Sequence, residues 1–343
     1  MTLTRKLIRF LSLFLALVLA VAAGVYAWGY SQFNQPGPLS VKKTVIIPRG
    51  AGVDRIAHLL KQSGIIKSPV VFVVGVRLQR IGKGLQAGEF SFVPNMSPRD
   101  VAAHLRNGKT VLRRITIPEG LSISGILTHI RRADGFRGDA IRGDAMQAMA
   151  IAEGALLPET YYFSYGDNRK SIIRRMLKDM KSTLNRLWAV RAPGLPLSTS
   201  QDALILASIV EKETAVGHER AKIAGVFINR LRKGMPLQSD PTVLYALTKG
   251  TRDLGRALTR TDLAFDSPFN TYRRKGLPPG PICNPGKAAI EAVLHPAQTD
   301  ALYFVANGKG GHAFARTLKE HNRNVARWRK WQREQKRNDS GKP

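Results

Sequence analysis

A helix is predicted over Ser200-Gln-Asp-Ala-Leu-Ile-Leu-Ala-Ser-Ile-Val-Glu-Lys-Glu-Thr214, and the acid near its end is the most informative residue of the chain. At 100° per residue, four apolar side chains cover one broad arc of this helix. They are Ile205, Leu206, Ile209 and Val210. Glu213 falls in the middle of that arc, whereas Glu211 points about 160° away.

Two interpretations of Glu213 follow from the helical wheel. A carboxyl group that faces apolar surroundings loses hydration, so its pKa rises and it holds a proton near neutral pH. Such a group can donate that proton to a leaving oxygen. Alternatively, Glu213 ends an ordinary helix at the point where the apolar arc meets solvent. The wheel leaves both interpretations open, with Glu211 as the alternative acid.

The charge of the chain limits its partners. The 343 residues include 54 Lys and Arg against 24 Asp and Glu, a net charge of +30. Such a protein is attracted to nucleic acid or to an anionic surface or polymer, such as a membrane face or an acidic cell-wall glycan. Charge alone does not separate these two classes.

The N-terminus distinguishes between nucleic acid and an anionic surface or polymer as the partner class. Residues 10–28 carry no charge and are long enough to cross a bilayer as a helix. Three cations precede this run, and no Lys or Arg follows it until Lys42. They are Arg5, Lys6 and Arg9. By the positive-inside rule, we expect a cytoplasmic N-terminus and an exported globular part, which makes nucleic acid an unexpected partner.

A cleavable signal peptide is the competing interpretation of this segment. Ala20-Val-Ala22 resembles a small-residue cleavage site. The apolar run continues past it through Val25 and Tyr26, which favours an uncleaved anchor. Either way, the rest of the chain is predicted to be exported.

Metal and cofactor chemistry is not indicated. Cys283 is the single cysteine, so neither an intramolecular disulfide nor a thiolate zinc cluster can form. The seven histidines show no metal-binding spacing, and there is no G-x-S-x-G or P-loop. We therefore predict no metal and no cofactor.

A strand–turn–helix phrase recurs before residue 130. Ile47-Pro-x-Gly-x-x-Val53-x-x-Ile56 aligns with Ile117-Pro-x-Gly-x-x-Ile123-x-x-Ile126, and residues 92–101 carry a weaker echo. Each copy predicts a strand, a tight turn and a short helix. Such units suit carbohydrate-binding modules as well as plain structural domains, so the repeat by itself is weak evidence for glycan binding.

The remaining segments are mostly helical. We predict helices in residues 139–193, with an aromatic, turn-like segment at 153–163, and a helix from Glu219 to Lys233. Asp240 is predicted to be the N-cap, and Pro241 the first residue, of a helix that runs through Leu247.

Three further segments complete the C-terminal half. The Pro/Gly-rich loop 276–286 is either the rim of a site or a rigid connector. A strand is predicted at 301–306, followed by a glycine-rich turn that carries His312. From Arg323 onward the sequence predicts a basic helix, which is either a solvated face or a contact to anionic polymer.

Several long phrases, in order, resemble one known family. The most telling is Ala207-Ser-Ile-Val-Glu-Lys-Glu-Thr214. The others are Val226-Phe-Ile-Asn-Arg-Leu-Arg232, Met235-Pro-Leu-Gln-Ser-Asp-Pro-Thr-Val243, Phe269-Asn-Thr-Tyr272, Gly276-Leu-Pro-Pro-Gly-Pro-Ile282, Leu302-Tyr-Phe-Val305 and Gly311-His-Ala-Phe314. Together they are similar to the endolytic murein transglycosylases, also called membrane-bound lytic transglycosylase G or YceG-like proteins.

The resemblance implies a single-pass enzyme of the bacterial inner membrane with a periplasmic catalytic domain. It implies internal cleavage of peptidoglycan strands between N-acetylmuramic acid and N-acetylglucosamine, 1,6-anhydro product ends and termination of nascent strands. It also implies a LysM-like subdomain and makes Glu213 the catalytic glutamate. Residues 155–160, Ala-Leu-Leu-Pro-Glu-Thr, depart from the family pattern, which leaves the role of Glu159 open.

The sequence thus predicts an α+β protein with a transmembrane helix, a small LysM-like α/β subdomain and a larger mixed α+β catalytic domain. The predicted boundaries are a cytoplasmic tail at 1–9, an anchor at 10–30, a linker at 31–43, the LysM-like subdomain at 44–112, the catalytic domain at 113–325 and a basic tail at 326–343.

Polar residues in the family phrases are candidate substrate contacts, although each is equally compatible with buried turn chemistry. They are Asn229, Gln238, Ser239, Asp240, Asn270, Thr271 and Tyr272. The predicted partners are peptidoglycan strands, the inner membrane and peptidoglycan synthases of the penicillin-binding type. A non-catalytic, membrane-anchored wall-binding scaffold is the alternative function.

Overall fold

The computed structural model describes residues 2–138 and 151–340 and has an α+β architecture. Its α-helices are α1 (Thr2–Asn34), α2 (Val53–Gln62), α3 (Pro69–Leu78), α4 (Pro98–Asn107), α5 (Ile123–Arg132), α6 (Arg169–Ala189), α7 (Ser200–Glu213), α8 (Arg220–Arg232), α9 (Asp240–Thr248), α10 (Arg260–Leu263), α11 (Lys287–Leu294) and α12 (Leu318–Ser340). Its strands are β1 (Lys43–Ile47), β2 (Gly88–Phe92), β3 (Leu112–Thr116), β4 (Thr160–Ser164), β5 (Tyr303–Ala306) and β6 (His312–Ala315). The strands pair β1 with β2, β3 with β4 and β5 with β6.

The described residues divide into two compact units, each with its own hydrophobic core. Unit 1 comprises the residues up to Arg113 together with Tyr162–Asp167, and unit 2 comprises the rest. The candidate acid Glu213 and all seven candidate substrate contacts lie in unit 2.

Unit 1 combines the paired strands β1 and β2 with the helices that follow each strand along the chain. β1 and β2 are antiparallel, with Lys43 opposite Phe92 and Ile47 opposite Gly88. α2 and α3 follow β1, and α4 follows β2. Alternate side chains of β2 are buried, so the strand closes one side of the core and exposes the other side.

α1 belongs to unit 1 and contains a run of 29 residues, Lys6–Asn34, that is long and apolar enough to cross a membrane. Residues 6–28 are exposed, whereas Phe33 is 5% exposed and packs beside Gly75. The helix ends at Asn34, so the first four residues of the predicted linker are helical.

α7 lies at the centre of unit 2. Thr199 and Asp202 form a capping box that fixes where it begins. Residues 203–210 are all buried, because the helix packs against α6, α8, α9 and α11. This confirms the apolar arc, although the burial extends around the whole helix. Ser208 is tolerated there because its Oγ donates to the Ile205 carbonyl and accepts the Ile282 amide.

The recurring strand–turn–helix phrase is confirmed in each copy. β1 leads into α2, β2 into α4 and β3 into α5. In the two copies that share Pro-x-Gly, the turn glycines Gly50 and Gly120 have positive φ values of 77° and 74°. Glycine adopts this left-handed conformation without a side-chain clash, which explains its place in both turns.

Three predictions need correction. The aromatic segment predicted as turn-like contains β4, in which Tyr161 and Phe163 are buried and Tyr162 is exposed. This alternation is a strand signal. α9 has Ser239 as its N-cap, so Asp240 is the first helical residue. His312 begins β6 rather than lying in the turn.

Other helices agree with their predictions to within a few residues. α6 falls inside the segment predicted to be helical, of which residues 139–150 lie outside the described structure. α8 begins one residue late and ends one residue early, and α12 begins five residues before Arg323. The second half of the 276–286 loop is buried from Pro281 to Gly286, as expected of a connector.

Candidate active site

The carboxyl group of Glu213, the last residue of α7, lies against Ser239. Ser239 Oγ donates a hydrogen bond of 2.5 Å to Glu213 Oε1. Burial raises the pKa of Glu213 to about 7, and the nearby Asp240 charge adds to that rise. The Ser239 hydrogen bond and the positive charge of Arg230 oppose it. Glu213 therefore exchanges a proton near neutral pH, as an acid–base catalyst requires.

Ser239 is fixed by a buried threonine pair. Its amide donates to Thr271 Oγ1 at 3.0 Å, and its carbonyl accepts from Thr242 Oγ1 at 2.6 Å. The two threonine hydroxyls are 2.8 Å apart and hydrogen-bonded. Gln238 immediately before it has a φ of 51°, an uncommon left-handed conformation for a residue with a side chain. The turn at Gln238 and the threonine pair together orient the Ser239 hydroxyl toward Glu213.

Arg230 supplies positive charge beside the acid, a role that our sequence analysis missed. Arg230 is 7% exposed, and its guanidinium donates to the Leu302 and Leu237 carbonyls at 2.7 Å each. Burial lowers the pKa of Arg230, while the nearby Glu213 and Tyr272 act to raise it. The same helical-wheel argument applies here, because Arg230 follows the apolar Val226 and Phe227 by four and three residues.

Asp240, which is exposed, and Tyr272, which is half-buried, form a polar pair next to the acid. The Tyr272 hydroxyl donates to Asp240 Oδ1 at 2.6 Å. Burial and the Asp240 carboxylate raise the pKa of Tyr272, so its hydroxyl keeps its proton. Gln238 and Asp240 are exposed, and Tyr272 is half-buried, so these three side chains can reach a ligand.

The other predicted contacts are engaged in internal hydrogen bonds. The amide nitrogen of Asn229 donates to the Thr299 and Ala301 carbonyls. Asn270 is fully buried; its amide nitrogen donates to the Leu263 and Phe265 carbonyls, and its Oδ1 accepts from the Tyr272 amide. Thr271 is 1% exposed. Asn270 shapes the loop that carries Tyr272, the Thr271 hydroxyl belongs to the threonine pair that fixes Ser239, and Asn229 joins α8 to residues 299–301. Direct substrate contacts from these three side chains stay predictions.

Glu211 belongs to a separate cluster. Its side chain is 5% exposed, with Oε1 3.4 Å from Arg220 Nη2 and Oε2 accepting the Gly286 amide at 2.9 Å. Arg220 also pairs with Glu119 at 3.2 Å. Burial raises the pKa of Glu211, but both of its oxygens have partners from the protein. Its role here is to join α7 to the loop before α11.

A second acid with a raised pKa, the half-buried Glu153, was not recognised in the sequence. Its Oε1 accepts from the Ile123 amide at 2.9 Å and from Asn284 Nδ2 at 2.8 Å. Burial raises the pKa of Glu153 to about 7, against the effect of these hydrogen bonds. Asn284 is fully buried and also binds the Leu156 amide and the Leu121 carbonyl. No local signal identifies this network, because Asn284 binds residues more than 100 positions away and Glu153 binds an amide 30 positions away.

The arrangement around Glu213 defines a class of site that can work by general acid–base catalysis. It offers one acid with a pKa near neutrality, a hydroxyl that orients it and exposed polar side chains beside it. Among known families, the YceG-like family model matches residues 45–327. The chain belongs to that family.

Two relatives are named endolytic murein transglycosylases, and one solved structure is similar in sequence. An endolytic murein transglycosylase of Bacillus subtilis is 34% identical over 88% of this chain and 89% of its own length. One of Streptococcus pneumoniae is 32% identical over 82% of this chain and 58% of its own length. The crystal structure of a YceG-like protein from Listeria monocytogenes is 32% identical, covers 82% of this chain and 98% of that chain, and has a TM-score of 0.49.

Proposed function

We propose that this protein is a membrane-anchored lytic transglycosylase that cuts peptidoglycan glycan strands internally. The observation that carries the proposal is the buried Glu213 carboxyl, which has a pKa of about 7 and a hydrogen bond from Ser239. Membership of the YceG-like family, with relatives named endolytic murein transglycosylases, supports the choice of substrate.

The first step uses Glu213 as a general acid. The protonated carboxyl gives its proton to the glycosidic oxygen between N-acetylmuramic acid and N-acetylglucosamine as the C1–O bond breaks. Because burial keeps a large fraction of Glu213 protonated at neutral pH, the proton is available where this bond needs it. The muramic acid ring is left with oxocarbenium character at C1.

The second step uses the same residue as a general base. The Glu213 carboxylate removes the proton of the C6 hydroxyl as that oxygen bonds to C1, which closes a 1,6-anhydro ring. The Ser239 hydrogen bond stabilises the carboxylate between the two steps, since it lowers the pKa of Glu213. The proton returns to Glu213, and no water is consumed.

The exposed polar side chains are proposed to position the sugar. Gln238, Asp240 and Tyr272 present amide, carboxylate and hydroxyl groups next to the acid, and these groups can bind hydroxyl and N-acetyl substituents. Arg230 is set deeper, so we propose that it positions Ser239 and supports the Glu213 carboxylate electrostatically. The net charge of +30 favours residence near anionic wall polymer and lipid.

The proposal includes a membrane topology for the chain. α1 is compatible with a single-pass anchor. The cations before its apolar run favour a cytoplasmic N-terminus and a periplasmic catalytic unit in the inner membrane. The LysM-like subdomain at 44–112 and contact with penicillin-binding synthases are proposed on the family resemblance. In this setting, cleavage would release nascent strands and end their growth.

The product test separates a lytic enzyme from a hydrolase and from a scaffold. The full-length protein in detergent is incubated with purified glycan strands in isotopically labelled water. We expect muramic acid ends that are lighter by one water than reducing ends, without incorporation of labelled oxygen, as read by mass spectrometry. Labelled reducing ends would show hydrolysis instead. Binding to the strands without any cleavage would favour the scaffold alternative.

The pH profile of kcat/KM tests the electrostatics around Glu213. Because the free enzyme needs a protonated Glu213, we expect activity to fall as the pH rises through about 7. Ser239→Ala removes a hydrogen bond that lowers this pKa, so its alkaline limb should move to higher pH. Asp240→Asn removes a negative charge that raises this pKa, so its limb should move to lower pH.

The two substitutions serve as each other's control. Ser239→Ala and Asp240→Asn both alter groups next to the acid, and both can reduce the maximal rate. Only their opposite effects on the pKa of Glu213 predict that the alkaline limbs of the two pH profiles move in opposite directions. Limbs that stay in place, or that move in the same direction, would show that a group other than Glu213 sets the alkaline limit.

A further inference from the structure

α3 has an apolar face that none of the described residues covers. Ten residues long, the helix carries one charged side chain, Arg77. One side supplies Phe72, Val73 and Val76 to the core of unit 1. Three apolar residues on the other side are 70%, 49% and 67% exposed. They are Val70, Val74 and Leu78, spaced four residues apart and therefore aligned in one stripe along the helix.

This stripe is continuous with the outer part of α1. α1 and α3 pack together in unit 1, with the Phe33 ring directly over Gly75, where a Cβ atom would clash with it. The two helices line an apolar groove of about 790 Å³. Its walls include Val25 and Tyr26 from α1, and all three stripe residues from α3.

A membrane-spanning α1 would bring this groove to the membrane. Residues 10–30 form about 30 Å of helix, which matches the hydrocarbon core of a bilayer. Trp28 and Tyr30 are exposed, and aromatic side chains of this kind settle at the membrane interface. In the proposed topology, the groove residues Val25 and Tyr26 of α1 would lie at the level of the outer leaflet, with α3 beside them.

The charges around α3 agree with such a position. Lys67, just before the helix, is exposed and shares a polar pocket with Gln32 and Gln35 at the end of α1. Arg80, just after the helix, is also exposed. Cations that flank an apolar face can bind anionic lipid headgroups while the face enters the acyl region.

We propose that α3 lies in the outer leaflet and that its Val70–Val74–Leu78 stripe is covered by lipid acyl chains. Unit 1 would then contact the membrane twice, through the span of α1 and through α3. This second contact would hold unit 1 against the bilayer instead of leaving it on a free tether. The inference rests on the proposal that α1 spans a membrane.

The test places a fluorescent probe on the full-length protein in vesicles of phosphatidylcholine and phosphatidylglycerol. Leu78→Cys reports on the stripe. Leu112→Cys is the matched control in the same unit, a leucine 64% exposed that does not line the groove. Leu15→Cys reports on α1. The native Cys283 is buried, so labelling of the folded protein falls on the introduced thiol.

We expect nitroxide-labelled lipid to quench the probe at position 78 at least about twofold more than the probe at position 112, with matching protection from aqueous iodide. Quenching at position 15 without quenching at 78 would overturn the inference and leave the anchor standing. An unquenched probe at 15 would overturn the anchor, and the inference with it. Protection at 78 that disappears when the protein is diluted in lipid would assign the face to a second copy of the chain.

Discussion

Replacing Glu213 with glutamine is expected to lower the rate of strand cleavage by about 10³-fold or more, with the fold and the binding of glycan retained. Glutamine has nearly the same shape and can still accept the hydrogen bond from Ser239 Oγ. It cannot give a proton to the glycosidic oxygen or remove one from the C6 hydroxyl, so both chemical steps fail together. The rate is measured as anhydro ends released per unit time from purified strands.

Glu211→Gln is the matched control for this loss. It lies two residues away on the same helix and is also buried, but its oxygens bind the Gly286 amide and Arg220. We expect its cleavage rate to stay within about tenfold of the wild type, because the substitution weakens a structural ion pair only. A wild-type rate in Glu213→Gln would remove Glu213 from the mechanism. A folded Glu211→Gln protein without activity would move the acid to Glu211.

Glu213→Gln, although it lowers activity, is expected to raise the stability of the folded protein relative to the wild type at high pH. The folded-state pKa of Glu213 is about 7, above the ordinary 4.5, so the folded state binds the proton more tightly than the unfolded state. The stability that this proton supplies is present below about pH 4.5 and is lost as the pH rises through about 7. Glutamine has no such loss, which fits the general cost in stability of keeping a functional acid buried.

Sequence periodicity located the acid because burial on a helix is a local property. The wheel around Glu213 needed only the spacing of its neighbours on α7, and the same spacing marks Arg230 on α8. The candidates predicted from the sequence were carboxylates and polar loop residues, so Arg230, a cation on an apolar face, was not among them. The family phrases identified Ser239 as a candidate substrate contact, whereas the structure shows its hydroxyl on Glu213.

Partners of buried polar groups were beyond the reach of the sequence. Asn270 and Thr271 occur in a family phrase next to Tyr272, but the Asn270 side chain binds the Leu263 and Phe265 carbonyls and the Thr271 hydroxyl binds Thr242. Nothing local distinguishes a buried asparagine that binds carbonyls from an exposed one that binds sugar. The short strand β4 was missed for a related reason, since its pairing with β3 joins segments more than 40 residues apart.

Asn284 is the residue of the loop 276–286 whose loss should cost most stability. Its Oδ1 accepts from the Leu156 amide at 2.9 Å, and its Nδ2 donates to the Leu121 carbonyl at 3.0 Å and to Glu153 Oε1 at 2.8 Å. The side chain is fully buried. It therefore holds three separate parts of unit 2 together: the segment before α5, residues 153–156 and the buried half of the loop.

Asn284→Ala is expected to lower the free energy of unfolding of unit 2 by about 3–4 kcal/mol, because three buried groups lose a partner that water cannot replace. Unfolding is followed by urea titration in detergent with circular dichroism and pulsed alkylation of Cys283. This thiol is free and buried, and burial raises its pKa, so it reacts only when its surroundings open. Asn185→Ala, at an exposed position of α6, is the matched control and should change stability by less than about 0.5 kcal/mol.

The pH dependence of this destabilisation distinguishes a loss of the network from a simple cavity. The Asn284 hydrogen bond lowers the pKa of Glu153, which is nevertheless raised to about 7 by burial. The folded state therefore holds the Glu153 proton, and its stabilising contribution is lost as the pH rises through about 7. In Asn284→Ala the pKa of Glu153 rises further, so that loss continues to higher pH and the destabilisation should be larger at pH 8 than at pH 6. A destabilisation that is equal at both pH values would mean that Asn284 acts by packing alone. A destabilisation below about 1 kcal/mol would mean that the loop is held by its prolines and apolar contacts without this network.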